Sequence, residues 1–547
     1  MPTYLIQQAW GDGRSFEDFR LPELEAIADM HGIGPTSEPP LYEKKDFDPS
    51  SPFLKVNIPS DEVMKSIAER SMMMKNVVEF WGEAATAEEL RKVVKEYIQK
   101  NDSKVRPYMT TGTFAFKLYG FGKTYQLKDQ MKVLKPFFEL GFKNKVKLKD
   151  PDHQFWVFLD HGHHDGVDNS PPKKVSRFAL RPIHPSLICS FGQVYFGRFI
   201  ADGMRHVLKP FSLKTRPFIG PTSTVAELAF VMANQAQVKV GSWVLDPFVG
   251  TASLLIASSY FGGMCVGMDR DYCLLHSKIH KKHAEKKDLF TNFGHYGLAK
   301  PEIVCGDNAY PPWHAREVYD AIVCDPPYGV RAGARKSGSR RGLQGKKVNP
   351  VQTHHDKVHI PSSVPYPVED VMADLHDVAA KYLVVEGRLV YLLPTIGDFD
   401  PKSLPQHPCL ELVAHSKQVL SGGFYRRCIT IKKTKAWKEG MACRRRDKNT
   451  EPPPCWEDVK SKMWVPKKKD GSDSGATETK KNIPQGMLRY EMIMPYTRST
   501  FKDLPPGTGE PSEQRNPLMV DNDDHREEGK DQAPPKKRKV SKDKNSS

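Results

Sequence analysis

The stretch Asp320-Ala321-Ile322-Val323-Cys324-Asp325-Pro326-Pro327-Tyr328-Gly329 decides how the chain folds. A short apolar run ends in an acidic residue and then two prolines, whose restricted φ angles hold the backbone rigid at the mouth of a sheet. Upstream, Val244-Leu245-Asp246-Pro247-Phe248-Val249-Gly250-Thr251-Ala252 repeats the theme: a buried strand, an acidic strand end, a tight turn, and a helix starting near Ser253. Between them Cys265-Val266-Gly267-Met268 runs into Asp269, and Glu302-Ile303-Val304-Cys305-Gly306 runs into Asp307. Together with the later run Arg388 to Leu393, strands alternate with helical stretches from about Asp246 to Lys433. That alternation implies an α/β fold with a largely parallel sheet covered on both faces.

The acidic strand ends suggest a ligand. The turn after Asp246 matches neither GxGxxG nor GxxxxGK[ST], which disfavours a dinucleotide pyrophosphate and excludes a P-loop. A helix N-terminus there offers free N–H groups to an anion, and it suits a carboxylate-bearing ligand better than phosphates. Asp269, 23 residues after Asp246, is placed to accept the hydroxyls of a ribose, ahead of Asp271, which lies past the strand end. Asp307 is placed to accept from an adenine amino group. Taken singly, each of these aspartates reads equally well as a helix cap. Asp325 is different, because its carboxylate and the Pro326 carbonyl are neighbouring acceptors able to grip the two hydrogens of an exocyclic amine. Tyr328 supplies a flat face for the base that bears it.

Composition narrows the class. At 547 residues the chain exceeds one ordinary domain, and 39% hydrophobic with 27% charged residues excludes collagen-like and wholly disordered chains. Nine scattered cysteines never form a CxxC pair, so neither a disulfide framework nor a cysteine-based zinc site is indicated. The uncharged run Phe248 to Met268 is long enough to cross a bilayer, but it contains Gly262-Gly263 and is flanked by Asp246 and Asp269. It reads as helix, turn and buried strand, so no membrane association is expected. The N-terminal stretch MPTYLIQQAWGDG lacks the features of a secretory signal. Of the net charge of +16, the residues from Trp437 onward carry +5 and those before it +11, which points to a polyanionic partner, nucleic acid ahead of membrane.

Past Trp437 the composition becomes Pro-, Lys- and Gly/Ser-rich, as in a disordered tail, and its run Pro534-Pro535-Lys536-Lys537-Arg538-Lys539-Val540 resembles a nuclear-import signal. The region before about Val194 is more mixed. Helices are expected over Asp61 to Phe80 and Ala87 to Ile98, and a strand over Phe114 to Leu118, giving one or two small α+β modules. Thr224 to Glu227 has capping-box spacing ahead of a helix whose apolar face holds Leu228, Val231 and Met232. The cluster His161, His163 and His164 reads as a polar surface loop, not a metal site.

The ordered set Asp246-Pro247-Phe248-Val249-Gly250-Thr251, Asp269, Asp307 and Asp325-Pro326-Pro327-Tyr328 resembles the S-adenosylmethionine-dependent amino-methyltransferases. More closely, the chain resembles the catalytic subunits of the eukaryotic tRNA guanosine N2-methyltransferases that modify position ten. Tyr195 to Gly203, Phe218 to Ser223, Asp325 to Arg331 and His407 to Leu412 carry that resemblance, with Phe19 to Glu23 and Ile58 to Ser60 at the N-terminus.

The resemblance implies a ferredoxin-like plus THUMP RNA-binding region over 1–194, a Rossmann-like class I methyltransferase domain over 195–436, and a disordered tail over 437–547. It implies S-adenosyl-L-methionine as cofactor, held by Asp246, Phe248, Gly250, Thr251, Asp269 and Asp307, with Thr222 and Ser223 near its methionine end. It also implies tRNA as substrate, a small zinc-binding activator subunit as partner, and a cytoplasmic location. The family usually has glycine where this chain has Ala252, so an extra methyl stands at the start of the helix.

The expected reaction is methyl transfer to guanosine N2, with Asp325, Pro326 and Tyr328 gripping an extruded base. Arg331, Arg335, Lys336, Arg340 and Arg341 follow the catalytic turn and are placed to meet RNA phosphates. Rival readings are methylation of an adenine amine in DNA or ribosomal RNA, a non-catalytic RNA-binding scaffold, and a nicotinamide-dependent oxidoreductase, the last disfavoured by the missing GxGxxG.

Overall fold

The computed structural model describes residues 1–10, 16–34, 37–162, 192–220, 223–271, 275, 287–327, 334–338, 362–396, 399–420 and 424–444. Its first half is built as β1 (Thr3–Gln8), α1 (Arg20–Asp29), β2 (Phe53–Asn57), α2 (Asp61–Arg70), β3 (Met74–Ala84), α3 (Ala87–Lys100), α4 (Asp102–Thr110), β4 (Thr113–Phe121), α5 (Leu127–Leu134), β5 (Lys145–Val146), β6 (His153–Asp160) and β7 (Gln193–Asp202). The strands form one seven-stranded sheet in the order β2-β1-β3-β7-β6-β4-β5.

Helix starts follow capping chemistry: the Ser60 and Thr86 side chains accept from the N–H groups of Val63 and Glu89. The helix expected over 61–80 is shorter than the sequence suggested. It stops at Arg70, because Met74 onward alternates as a central strand held by β1 on one side and β7 on the other. The domain boundary expected at 194/195 falls inside β7, so Tyr195 to Gly203 belongs to the first sheet and its exit, not to the methyltransferase sheet.

The second half comprises α6 (Ala226–Gln235), β8 (Trp243–Asp246), α7 (Ser253–Tyr260), β9 (Met264–Asp269), α8 (Leu289–Tyr296), β10 (Glu302–Cys305), β11 (Tyr319–Cys324), β12 (Arg335–Ser337), β13 (Ser363–Pro365), α9 (Val368–Tyr382), β14 (Leu383–Ile396), β15 (Leu410–Val419) and β16 (Phe424–Lys433). Its seven-stranded sheet runs β10-β9-β8-β11-β14-β16-β15, parallel through β14 and antiparallel in the last two pairings. Strand order reverses between β8 and β11, the place where open α/β sheets bind ligands at their carboxyl ends. α6, α7 and α8 pack on one face and α9 on the other. The run from Phe248 to Met268 resolves into α7, a glycine turn and β9, and no helix among the described residues is long and apolar enough to cross a membrane. The capping box expected at Thr224 is not formed: α6 starts after Val225 without a side-chain cap, and Glu227 instead pairs with Arg205 at 2.7 Å.

The two sheets are joined through a buried polar hub. Glu23 of α1 is fully buried, and its carboxylate accepts from Ser71 Oγ, the Met72 and Met73 N–H groups and Asn234 Nδ2 of α6, at 2.7–3.0 Å. Nearby, Arg388 of β14 reaches Asp29 at 2.8 Å, and the Arg70 guanidinium lies 4.0 Å from the centre of the Phe261 ring. Beyond β16 the chain remains folded past the expected start of the tail: Trp437 N donates to Glu317 and Cys443 N to Asp377. The rest of the expected tail lies outside the described residues.

Candidate active site

Four carboxylates stand at the carboxyl ends of neighbouring parallel strands: Asp246 after β8, Asp269 after β9, Asp307 after β10 and Asp325 after β11. The first three are oriented by backbone N–H groups. The Phe248 N–H donates to Asp246 at 3.0 Å. Asp269 accepts from the Gly250 and Asp271 N–H groups, at 3.0 and 2.8 Å, so the β9 carboxylate pins the loop that follows β8. Asp307 accepts from the Ala309 N–H at 3.0 Å and the Ser337 N–H at 2.5 Å, tying β10 to β12.

The turn between β8 and α7 is left-handed at two residues, Gly250 (φ +50) and Ala252 (φ +60). Glycine takes that conformation freely and alanine does so at a cost. A chain of hydroxyls fixes the start of α7: Gly220 N donates to Ser223 Oγ (2.9 Å), which meets Thr251 Oγ1 (2.8 Å), which meets Ser253 Oγ (3.2 Å). Arg216, itself buried, donates to Ser253 Oγ at 2.9 Å. Its Nε is buried without a hydrogen-bond partner among the described residues.

Asp246, Phe248, Gly250, Thr251, Ser253 and Asp325 line a single recess. Its electrostatics are divided. Burial, foremost, pushes the Asp246 carboxyl well above the usual carboxylate range; the carboxylates of Asp269 and Asp325 push the same way, against the Phe248 N–H. Asp269 is also raised, mainly by burial. At the other end stands the uncapped α7 N-terminus, whose Ser253 accepts from Arg216, a guanidinium whose pKa burial lowers. A ligand with one anionic end and a cationic centre satisfies both ends of the recess.

Asp246, Phe248, Gly250, Thr251, Asp269, Asp307, Ser223, Asp325 and Pro326 are thus brought to one edge of one sheet. Tyr328, Thr222, Arg331, Arg340 and Arg341 lie outside the described residues. Arg335 and Lys336 lie on β12. Arg335 donates to Ser363 Oγ and to its carbonyl, at 2.7 and 2.6 Å, and Lys336 sits 3.8 Å from Asp370. Both side chains engage their own hairpin and its neighbouring helix. Of the three histidines, His161 is described: its Nε2 meets Tyr125 Oη at 2.6 Å. No group of three or more His, Cys, Asp or Glu among the described residues could hold a metal ion.

Two arginines at the site escaped sequence reading. Arg216 reaches α7 across a loop. Arg426 of β16 stands opposite Pro394 in the register, is clamped by Gln418 Oε1 at 2.9 and 2.7 Å, and feels the charge of Asp325. Their approach depends on a loop crossing and on strand pairing, neither of which a local motif encodes.

A reversing parallel sheet with acidic strand ends, a glycine turn and a D-P-P turn defines a class I, S-adenosylmethionine-dependent methyltransferase. Residues 214–341 match the RMKL-like methyltransferase domain, and residues 2–179 match the Tmrp11 THUMP N-terminal domain. The mouse tRNA (guanine(10)-N(2))-methyltransferase TRMT11 is 35% identical over 433 residues, 77% of this chain and 86% of its own. The human protein of that name is 34% identical, covering 77% and 87%, and the Dictyostelium discoideum protein 36% identical, covering 79% and 82%. The chain belongs to this TRMT11 family of tRNA (guanine(10)-N(2))-methyltransferases.

Proposed function

We infer that this chain transfers a methyl group from S-adenosylmethionine to the exocyclic N2 of guanosine ten in tRNA. Family membership supports the substrate. The observation that carries the chemistry is the convergence of Asp325 and the β8–α7 turn on one recess.

The residues present fit the cofactor. Arg216 and the α7 N-terminus suit its carboxylate, Asp246 its cationic end, Asp269 its ribose and Asp307 its adenine, with Phe248 and Thr251 lining the recess. When bound, S-adenosylmethionine supplies an electrophilic methyl carbon. The chain's own residues do the rest. Guanine N2 is a poor nucleophile because its lone pair is delocalised into the ring. Accepting its two hydrogens on the Asp325 carboxylate and the Pro326 carbonyl localises that pair and orients it. Asp325 then receives the proton that the amine loses on methylation. Arg426, clamped by Gln418, lies within the field of the Asp325 carboxylate. Tyr328 stacks on the extruded base, and Arg331, Arg340 and Arg341 hold nearby phosphates.

The partner is a small zinc-binding activator. Exposed apolar side chains near the amino ends of β8, β9 and β14, namely Trp243, Met264 and Val385, with Val240 and Val318 beside them, supply surface for it to cover. The workplace is the cytoplasm, with the nucleus a second location that the basic run Pro534 to Val540 would open. Adenine methylation and a scaffold role gain no support, since the relatives are named for guanine and the carboxylate set is intact. Mass spectrometry of tRNA nucleosides from cells lacking the protein tests the proposal. N2-methylguanosine should vanish at position ten, and unchanged levels there would reject it. Recombinant chain assayed with and without the small partner tests the activator.

A further inference from the structure

The turn at Asp325 and Pro326 grips an exocyclic amine, and adenine carries one as guanine does. Those two acceptors therefore fix which group is methylated without fixing which purine bears it. A guanine held by N2 presents its O6 acceptor at the far end of the same edge, whereas an adenine held by N6 presents only a C–H there. A donor facing that far end separates the two bases.

Strand geometry supplies one. Val323 of β11 and Cys428 of β16 both belong to the apolar cluster under α6 and α7. Side chains alternate along a strand, so Asp325 and Arg426, each two residues nearer the carboxyl edge of the sheet, face that same side. Arg427 faces the other way, over the Phe399 ring at 4.6 Å. Only β14 separates β11 from β16, so the two backbones lie two strand spacings, roughly 10 Å, apart.

The Arg426 side chain is held without being neutralised. Gln418 of β15, itself buried, accepts from its Nε and Nη2 through one oxygen, at 2.9 and 2.7 Å. Nη1 donates to no described residue, and Arg426 forms no ion pair among the described residues. Other buried cations of this sheet do: Arg388 reaches Asp29 at 2.8 Å and Lys433 reaches Glu317 at 2.7 Å. Burial lowers the Arg426 pKa, and the first charge opposing that is Asp325. Two groups that sense each other without an ion pair leave a third group room to bridge them. A clamp made by an amide oxygen fixes the direction of the guanidinium fork and keeps its charge for a ligand's acceptor.

We propose that Arg426 reads guanine, its Nη1 donating to O6 of the base whose N2 lies on Asp325 and Pro326, with Gln418 setting the direction of the fork. The assignment rests on the N2-methylation proposed above and names the residue that makes the site select guanine over adenine. The base then spans a carboxylate that takes its amine at one end and a guanidinium that feeds its carbonyl oxygen at the other.

Competition between two tRNAs tests it. They are identical except for guanosine or 2,6-diaminopurine riboside at position ten, and diaminopurine keeps the N2 amine but replaces O6 by a second amine. Both are given in one tube to the full-length chain with the activator present, and mass spectrometry counts the methyl groups on each. The ratio of the two kcat/KM values does not depend on how much of the protein is folded. The unaltered chain should favour guanosine by about 10²-fold. Arg426→Met should bring that preference below about tenfold, losing rate on guanosine while holding it on diaminopurine. Gln418→Leu, which frees the fork, should lower the preference at least about threefold.

A residue that only supports the sheet or orients Asp325 would lower both rates together and leave the ratio where it was. An unchanged ratio in Arg426→Met, or an unaltered chain without preference for guanosine, would overturn the proposal. If Arg426→Met gives no product, the Gln418→Leu ratio decides: a lowered one upholds the assignment and an unchanged one overturns it. No methylation of guanosine by the unaltered chain would reject the N2 reading itself, and this proposal with it.

Discussion

The two seven-stranded sheets of this chain expose different parts of themselves. The second sheet is parallel over most of its width and covered by helices on both faces, so its chemistry is confined to the strand ends, where Asp246, Asp269, Asp307 and Asp325 stand. The first is mixed and, among the described residues, carries helices on one face, with half-buried rings and lysines on the other. A parallel sheet concentrates a small rigid site, and a half-covered sheet offers area. Catalysis needs the former.

The sharpest test of that division is Asp325→Ala. If chemistry resides only at the strand ends, turnover on unmodified tRNA should fall by about 10²- to 10⁴-fold while tRNA affinity stays within about twofold. Single-turnover methyl transfer alongside a binding titration separates the two. A parallel loss of affinity would mean that the two sheets do not divide the labour in this way.

That division is uneven in how far the sequence reveals it. The strand ends are legible because each is a local word: an apolar run, an aspartate, and a glycine or proline turn within ten residues. The first sheet is not, because its central strand β7 is recruited between β3 and β6, and β3 lies over a hundred residues upstream. Met72-Met73-Met74 fits a helical period as well as a strand, which is why the expected helix overran α2 into β3. Arg216 and Arg426 have no local signature, since a loop crossing brings the first to α7 and strand register sets the second.

Next in size is the junction itself. Glu23→Gln keeps the shape but replaces one acceptor oxygen by an amide donor facing four donors. The substitution should lower stability by roughly 2–3 kcal/mol, read as a drop in denaturation midpoint. Because the hub spans α1, the chain before β3 and α6, both sheets should lose protection together in hydrogen exchange. Loss in one half only would show that the halves are held together elsewhere.

Asp246→Asn sharpens the contrast from the second sheet's side. The Asp246 carboxyl is raised above its ordinary value of 3.8, so the folded chain binds a proton that the unfolded chain has released. Its unfavourable contribution therefore grows as pH rises from about 4 toward the raised folded value, and persists above it. Asparagine keeps an acceptor for the Phe248 N–H and removes the charge. The ligand-free variant should be more stable at pH 7, read as a raised thermal midpoint, and the gain should fade below pH 4. Its S-adenosylmethionine affinity, measured by calorimetry, should fall at least about tenfold, because the cationic end loses its counter-charge. Equal thermal midpoints for the two chains from pH 4 to pH 8 would show that the Asp246 carboxylate carries no folding penalty.

The smallest expected effect lies at Ala252. Its φ of +60 places a buried methyl in the left-handed region, while its N–H still donates to the Val249 carbonyl at 2.7 Å. Glycine there relieves roughly 1 kcal/mol of backbone strain but makes the unfolded chain more flexible, so Ala252→Gly should change stability by less than about 1 kcal/mol. The reverse change nearby is not mild. At Gly267 of β9 a Cβ would come within 2.6 Å of Val249 Cγ2 and 2.7 Å of Ile303 Cδ1, so Gly267→Ala should cost about 1–3 kcal/mol by overpacking. Thermal melts of the two variants thus separate backbone strain, which this turn absorbs, from crowding between strands, which the parallel sheet does not. A large gain from Ala252→Gly would show that the cofactor turn is held under more strain than its φ angle implies.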